Sequence, residues 1–246
     1  MLETAHAPVV PREKRGRCLD LLVACMLTQN TNMANARSGF RQLRRAFGSW
    51  SQVMTAPIDA VKRCIAVCGL ARMRARRLQS LLRVIKAREG KLDLQCLGRR
   101  EPKDAFDYLT SIFGIGPKTA ACTLLFAFGM PLFPVDKGIH RMCRRLKLVR
   151  AKAGEAETER TMEKVLAPAQ CYPLHVLMFR HAKAYCRPRN PKCRQCHLLS
   201  ICPSGQLRLR HRRDKSADPP PRLRPIILSR HASAGLIKHG DGEIDV

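Results

Sequence analysis

Apolar residues at helical spacing run through most of this chain and narrow the folds open to it. They recur three and four positions apart in RCLDLLVACMLTQ, ANARSGFRQLRRAF, APIDAVKRCIAV, MRARRLQSLLRVIKAREG and PKDAFDYLTSIF, which is the pattern of one face of an α-helix. No convincing run alternates apolar and polar residues as a half-buried strand does, and no repeat is visible. The sequence therefore predicts an all-α fold, with helices that start at Pro102 and Pro117 because proline is favoured in a first helical turn.

Composition divides the chain into two helical domains and two flanking segments. A helical domain at 18–130 contains a glycine-rich turn, and a second helical domain at 131–203 ends in a cysteine cluster. The short N-terminal segment, 1–17, is a candidate to join the second domain. The last segment, 204–246, is basic and rich in proline with little to bury, so we expect it to be mostly disordered. Its arginines either touch DNA phosphates or serve no role.

The charge balance points to a polyanionic partner. The 246 residues include 46 Lys plus Arg and 19 Asp plus Glu, a formal net charge of +27, which is more than solubility requires. No apolar run reaches the ~20 residues of a membrane span, and the N-terminus lacks the apolar centre of a secretory signal. We therefore expect a cytoplasmic bacterial or archaeal protein with no membrane contact. Aromatic residues are only 5%, which favours duplex nucleic acid over single strands that stack on aromatic rings.

A glycine-rich turn, FGIGPKTAA, lies between two predicted helices. Gly114 and Gly116 permit positive φ and the close approach of another backbone, and Pro117 begins the next helix. The stretch lacks the G-x-x-x-x-G-K-[ST] pattern and the preceding strand of a P-loop. The amides at the helix N-terminus are a natural seat for a phosphate, so the turn predicts a helix-hairpin-helix motif that grips DNA backbone without reading sequence. From the glycines alone, an ordinary helix–helix turn stays open.

Lys118 and Asp136 are the candidate catalytic pair. Lys118 lies in the first turn of the helix after the hairpin, and Asp136 follows eighteen residues later in PLFPVDKGIHRM. An amine nucleophile must lose its proton, and a helix N-terminus in basic surroundings is expected to lower the pKa of Lys118, although an ionised Asp136 would oppose that shift. A nearby carboxylate can accept a proton or stabilise a cationic sugar. Taken alone, Asp136 also fits a helix N-cap.

Twelve cysteines in a chain without a secretory signal do not predict a disulfide framework. The eight up to Cys171 lie often in apolar runs and are expected to be small core residues. The last four form a C-x6-C-x2-C-x5-C pattern at Cys186, Cys193, Cys196 and Cys202. Four thiolates bind zinc or an iron–sulfur cluster; the wide loops favour [4Fe–4S], and spacing alone leaves zinc open. The loop between the first two carries cations that a metal site would hold rigid against DNA: Arg187, Arg189 and Lys192.

The hairpin GIGPKTA, the VD pair after it and the cysteine spacing together resemble endonuclease III and the wider family of helix-hairpin-helix–Gly/Pro–Asp DNA glycosylases. The resemblance covers residues 18–203. It implies a two-domain helical fold that holds damaged duplex DNA across a cleft, a [4Fe–4S] cluster on the four cysteines, and a base flipped into a pocket. It further implies that Lys118 attacks the sugar C1′, expels the base and forms a Schiff base that permits β-elimination, with Asp136 assisting.

Two further residues match family loops that fill the space left by the flipped base: Gln29 in LTQNT and Leu70 in CGLARMRA. A polar helix end and a loop anchor are the plainer interpretations of these residues. The chain departs from the family where Lys137 and Gly138 replace the usual Thr-His after the aspartate. The leading hypothesis is a monomeric glycosylase and AP lyase of base excision repair, acting on oxidised pyrimidines. The alternatives are a monofunctional glycosylase for alkylated or mismatched bases and a non-catalytic protein that binds DNA damage.

Overall fold

All regular structure that this computed structural model describes, over residues 1–6, 9 and 17–213, is helical. The prediction of an all-α fold is therefore confirmed. None of the described helices is long and apolar enough to cross a membrane. In chain order the α-helices are α1 Leu2–Ala5, α2 Cys18–Leu27, α3 Met33–Ala46, α4 Trp50–Thr55, α5 Ile58–Cys64, α6 Ala71–Glu89, α7 Pro102–Thr110, α8 Pro117–Phe128, α9 Lys137–Arg145, α10 Glu155–Val165, α11 Pro168–Ala184 and α12 Pro203–Arg213.

Local signals explain where several of these helices begin and end. Pro102 and Pro117 lie in the first turns of α7 and α8, as predicted. The side chain of Asn32 accepts a hydrogen bond from the Asn35 amide at 2.8 Å and caps α3, which satisfies one of the free amides of the first turn. α8 ends at Gly129, whose φ of 69° is left-handed and suits glycine.

The first core is built from helices of the segment 18–130. α2 is buried along almost its whole length and packs against α8, while α4 and α5 pack on α6. Leu22, Leu82 and Leu124 contribute fully buried side chains from α2, α6 and α8. Full burial of such a side chain contributes about 1.5–3 kcal/mol. This core therefore fixes α8, and with it the residues at the N-terminus of α8.

A second core begins where the first ends. Phe133, Ile139 and Met178 are buried in it, and α9 packs on both α10 and α11. Leu2 of α1 packs against the same core, and α1 contacts α11. The N-terminal helix therefore lies with the second group of helices. The change of core between Met130 and Phe133 falls beside the boundary predicted at residue 130.

The helix α12 corrects the expected disorder of the C-terminal segment. Pro203–Arg213 is helical, whereas the sequence predicted that the segment 204–246 is mostly disordered. A Cβ added to Gly205 would lie 3.2 Å from a methyl carbon of Leu199 and 3.4 Å from Cys202 Sγ, so α12 packs closely on the cysteine loop. Tertiary packing of this kind stabilises helices that local sequence alone does not predict. The prediction for 214–246 lies outside the described residues.

Candidate active site and nucleic-acid interface

A cavity of about 820 Å³ opens between the two groups of helices. The first group contributes the connection from α2 to α3 and the first half of α8 to its wall. The second group contributes the start of α9 and the middle of α11. Lys118 and Asp136 both line it. The structure thus brings together the two residues predicted as a catalytic pair, in a space large enough for one small organic group. Other residues of the wall are Gln29, Arg37, Cys122, Phe126, Tyr172 and His175.

Lys118 is half-buried in the cavity wall, in the first turn of α8. Its pKa is raised above the ordinary value: the Cys122 thiol is the largest cause, burial opposes it, and the charges of Cys25 and Asp136 add to it. The sequence left the balance between the helix N-terminus and Asp136 open, and the groups around Lys118 favour a raised pKa.

Cys122 lies four positions after Lys118, on the same face of α8, and is 1% exposed. Its side chain interacts with Cys25 of α2 and with His175 of α11. His175 is itself held by a 2.9 Å hydrogen bond from Nδ1 to the Pro134 carbonyl. The hydrogen bond with Cys25, followed by the charge of Lys118, lowers the pKa of Cys122 against the effect of burial. Cys122 and Lys118 therefore lie close enough at the cavity wall for each to influence the pKa of the other.

Asp136 is the N-cap of α9, and one of its carboxylate oxygens accepts a hydrogen bond from the Ile139 amide at 2.7 Å. Capping and catalysis are compatible here, since the same carboxylate borders the cavity. Gly138, where the resembled family usually has histidine, leaves no room for a side chain: a Cβ would lie 2.9 Å from the Cβ of Ala182. The departure from the family therefore follows from the close packing of α9 on α11.

The hairpin turn before α8 has left-handed backbone at one glycine only. Gly114 has a φ of 90°, whereas Gly116, the N-cap of α8, has a φ of −88° and does not use the positive φ that glycine permits. A Cβ on either glycine would meet nothing within 4 Å. Phe113 beside them is 87% exposed. The turn thus leaves open space beside both glycines, next to the N-terminus of α8, where a phosphate can approach.

Gln29 and Leu70 border one shallow depression on the surface of the first group of helices. Gln29 Nε2 donates to the Gly114 carbonyl and to Thr119 Oγ1, each at 3.4 Å. Leu70 precedes α6 with a φ of 49° and is 62% exposed. A leucine this exposed does not anchor its loop by burial. Gln29 therefore links the connection after α2 to the hairpin, and the side chain of Leu70 is open to solvent.

The cations of the cysteine loop are exposed. Arg187, Arg189 and Lys192 all lie at the surface, and the first two border an open groove with Arg141 and Lys183. Lys183 also lines the large cavity, so the groove continues from that cavity towards the cysteine loop. Lys192 does not border the groove. Positive charge along this path favours a polyanion.

The four cysteines of the C-terminal pattern surround one small space of about 30 Å³. Arg145 donates to Cys186 Sγ at 3.3 Å, and His181 Nε2 lies 3.3 Å from Cys196 Sγ. No three His, Cys, Asp or Glu side chains within the described ranges are arranged to hold a single metal ion. Four sulfurs around one space are the donor set of either a Cys₄ zinc site or a Cys₄ iron–sulfur cluster.

Sequence reasoning missed three residues beside the site. Cys122 was expected to be a core cysteine, and the available signal was its place one helical turn after Lys118. His175 and Arg74 carry no such signal. His175 is held at the cavity wall by a hydrogen bond to a residue 41 positions away, and Arg74 reaches the Gln29 loop by a hydrogen bond to a residue 45 positions away. Contacts this distant along the chain leave no trace in local sequence.

Comparison with known proteins identifies a family, relatives and solved structures that this chain resembles. The sequence model of the HhH-GPD superfamily base excision DNA repair proteins matches residues 23–168. Endonuclease III of Bacillus subtilis is 27% identical over 189 residues, which are 77% of this chain and 82% of that protein. A trapped covalent intermediate of endonuclease III with DNA is 25% identical, with a TM-score of 0.70 over 85% of this chain and 93% of that one. A thermostable thymine-DNA glycosylase, 18% identical, shares the fold with a TM-score of 0.70 over 84% and 92% of the two chains.

Proposed function

Because the chain belongs to the HhH-GPD superfamily of base excision DNA repair proteins, we propose that it is a bifunctional DNA glycosylase and AP lyase that removes oxidised pyrimidines from duplex DNA. The family and the helical glycosylase fold predicted from the sequence are confirmed. The chain is a DNA glycosylase, and its partner is DNA that carries a damaged base. The finer proposal is supported above all by Lys118 and Asp136 in one cavity. An enzyme that used water alone would not need the amine of Lys118.

The duplex lies over the opening of the cavity. Amides at the hairpin and at the N-terminus of α8 hold one phosphate, since Gly114 and Gly116 leave them open. Arg187 and Arg189 along the groove, with Lys192 exposed nearby, contact phosphates further along the strand. Such contacts hold the backbone without selecting a sequence, which suits an enzyme whose lesion can occur anywhere.

The damaged nucleotide leaves the base stack and enters the cavity, at a cost of a few kcal/mol in lost stacking and pairing. Gln29 and Leu70 fill the space that it leaves in the duplex, which offsets part of that cost. Phe126 and Tyr172 stand edge to face in the cavity wall, with ring centroids 5.3 Å apart. They offer apolar surface to the flipped base while Lys118 faces its sugar.

Lys118 Nζ first gives up its ammonium proton, which the Asp136 carboxylate can accept, and then attacks C1′ of the sugar. The Nζ–C1′ bond forms as the bond from C1′ to the base breaks, and the base leaves with the electron pair and takes up a proton. The sugar ring opens to an imine, and loss of a C2′ proton expels the 3′ phosphate by β-elimination. Asp136 stabilises the positive charge that develops on the sugar and is within reach of protons released at the cavity wall.

The Cys122→Ala variant is expected to form the imine at lower pH than the unaltered protein. Cys122 is the largest influence that raises the pKa of Lys118, and burial, which lowers it, would remain. The reactive amine predominates only above the lysine pKa, so a lower pKa moves the rising limb of the rate to lower pH. The measurement is the borohydride-trapping rate on an abasic duplex across pH.

Other charged groups face the same lysine and stay in place in this variant: Cys25, Asp136 and Lys183. Cys143→Ala, a buried cysteine of the second core, is the matched control and should leave the profile unchanged. A profile that does not move, or that moves to higher pH, contradicts the assigned influence of Cys122.

A [4Fe–4S] cluster is proposed for the space between Cys186, Cys193, Cys196 and Cys202. All four line it, and Arg145 beside it offsets part of the negative charge of the thiolates. These four cysteines would hold the cluster, which would cross-link the loop between the end of α11 and the start of α12. Arg145 also donates to the Arg187 carbonyl at 2.9 Å, so the residues that hold the cluster also hold the DNA-facing loop.

Cys196→Ser is expected to lose the iron and sulfide of one cluster per chain and to unfold more readily, because binding of a structural metal group is part of the folding free energy. Anaerobic purification followed by iron and sulfide analysis and visible absorption measures this. Cys96→Ser is the matched control, since Cys96 is exposed and lies outside the loop. A colourless, zinc-containing protein from anaerobic preparation contradicts the cluster.

One experiment separates the proposed function from its alternatives. Duplexes that carry an oxidised pyrimidine, an alkylated base or a mismatch are incubated with the protein, and free base and strand cleavage are measured separately. Free oxidised pyrimidine together with cleavage supports the proposal. Free base without cleavage indicates the monofunctional glycosylase, and tight binding with neither product indicates a damage-binding protein.

A further inference from the structure

Arg74 is a buried cation of α6 that joins two loops, with only 5% of its surface exposed. On one side its Nε donates to the Gly69 carbonyl at 2.8 Å. On the other side Nη1 lies 3.4 Å from the carbonyls of both Met26 and Leu27. Nη2 donates to the Gln29 carbonyl. The guanidinium therefore ties the end of α2 to the turn that precedes α6.

These are the loops that carry Gln29 and Leu70. Asn30, directly after Gln29, has a φ of 53°, and Leu70, directly after Gly69, has a φ of 49°. Residues other than glycine seldom adopt this conformation. It persists only where surrounding contacts over-determine the backbone, and Arg74 provides such contacts to both loops at once.

The connection extends to the catalytic helix. Gln29 Nε2 donates to the Gly114 carbonyl in the hairpin and to Thr119 Oγ1, each at 3.4 Å. Thr119 is the neighbour of Lys118 in the chain. A continuous set of hydrogen bonds therefore runs from the turn before α6, through Arg74 and Gln29, to the first turn of α8.

We propose that Arg74 is a positioning residue that fixes the spacing of Gln29 and Leu70, so that both side chains enter the duplex together when a nucleotide leaves it. The inference rests on the proposed function, which supplies the roles of Gln29 and Leu70. Arginine suits the task because its planar group has five donors and can address several carbonyls, whereas lysine is a point charge. Its place at the C-terminal end of α2 adds the attraction of a cation for helix carbonyls. Without it, buried carbonyls lose their donors, and the two loops are no longer joined.

The test separates base extrusion from the chemistry that follows. Arg74→Met and Arg74→Lys are compared with the unaltered protein and with Arg83→Met, an arginine of the same helix whose Nη2 lies 3.4 Å from the Met54 carbonyl, outside both loops. A duplex with 2-aminopurine beside the damaged base reports unstacking by fluorescence, and single-turnover base release reports the reaction. A single-stranded oligonucleotide with an abasic site reports imine formation where no nucleotide has to leave a duplex.

We expect Arg74→Met to lose most of the fluorescence rise and to release the base from duplex DNA about 10- to 100-fold more slowly, the effect of a displacement of about 1 Å at a catalytic site. Borohydride trapping on the single-stranded abasic oligonucleotide should stay close to the unaltered rate. Arg74→Lys keeps a buried cation but not the several donors, so it should fall between the two. It also serves as the folded variant should methionine be poorly tolerated. Arg83→Met should behave as the unaltered protein throughout.

Two results overturn the inference. One is a folded Arg74 variant with unaltered fluorescence and base release. The other is a loss of single-stranded trapping equal to the loss of base release, which would indicate general damage to the structure. The proposed function fails separately: unaltered protein that unstacks 2-aminopurine but forms no imine on any substrate contradicts the lyase, while the fluorescence of the Arg74 variants still decides the positioning role.

Discussion

Strand cleavage at an abasic site is expected to fall by about four orders of magnitude or more in Lys118→Gln, because removal of a catalytic nucleophile has effects of this size in enzymes that act through one. Binding to the same duplex should change little, since hairpin amides and groove cations hold the backbone in our account. Single-turnover cleavage with enzyme in excess measures the first effect, and a binding titration at fixed salt measures the second, because phosphate contacts make the affinity salt-dependent.

Lys103→Gln is the matched control for this variant. Lys103 lies on α7, exposed and paired with Asp107, and an exposed pair of this kind contributes little to stability. It should cleave as the unaltered protein does. Cleavage that persists in Lys118→Gln contradicts the assignment of the nucleophile. Base release that persists while cleavage is lost would instead favour the monofunctional alternative.

Base release is expected to fall by about 10²- to 10⁴-fold in Asp136→Asn, the usual range for loss of a group that manages protons in the transition state. Asparagine caps a helix as well as aspartate does, so the bond to the Ile139 amide can be kept while the charge beside the sugar is lost. Asp136 also raises the pKa of Lys118. In the same variant the lysine should therefore lose its proton at a lower pH than in the unaltered protein. Single-turnover base release measured across pH reports both effects.

Asp136→Ala distinguishes the charge of this residue from its cap. Alanine removes both, so the free energy of unfolding should fall by about 1 kcal/mol relative to Asp136→Asn, as urea denaturation would measure. Base release should be low in both variants. If Asp136→Asn releases the base at the unaltered rate and only Asp136→Ala is impaired, then Asp136 is a cap without a catalytic role.

The hairpin turn and the meeting of Lys118 with Asp136 in one cavity could be predicted because their signals are local or belong to a known pattern. Gly114 and Pro117 mark the turn and the start of α8 within a few residues. The protonation state of Lys118 could not be predicted in the same way. Two of the groups that raise its pKa, Cys25 and Asp136, come from α2 and α9, and only the folded chain places them around one amine.

The helical class was equally accessible, since helical periodicity is repeated in every long apolar segment. The packing of the two ends was less accessible: the N-terminal segment was only a candidate to join the second domain, and α12 was not predicted. Leu2 packs into the second core across most of the length of the chain, and α12 continues a segment whose composition indicated disorder. In both cases the conformation depends on packing against another part of the chain, which local composition does not reveal.

The central claim, that Lys118 is the nucleophile of a glycosylase–lyase, is tested most directly by covalent trapping. The unaltered protein is incubated with an abasic duplex and borohydride, and the adduct is digested and its modified peptide identified by mass spectrometry. We predict an adduct on Lys118, in the peptide that contains GPKTAAC. An adduct confined to another lysine or to the N-terminal amine, or no adduct at all, would contradict the account.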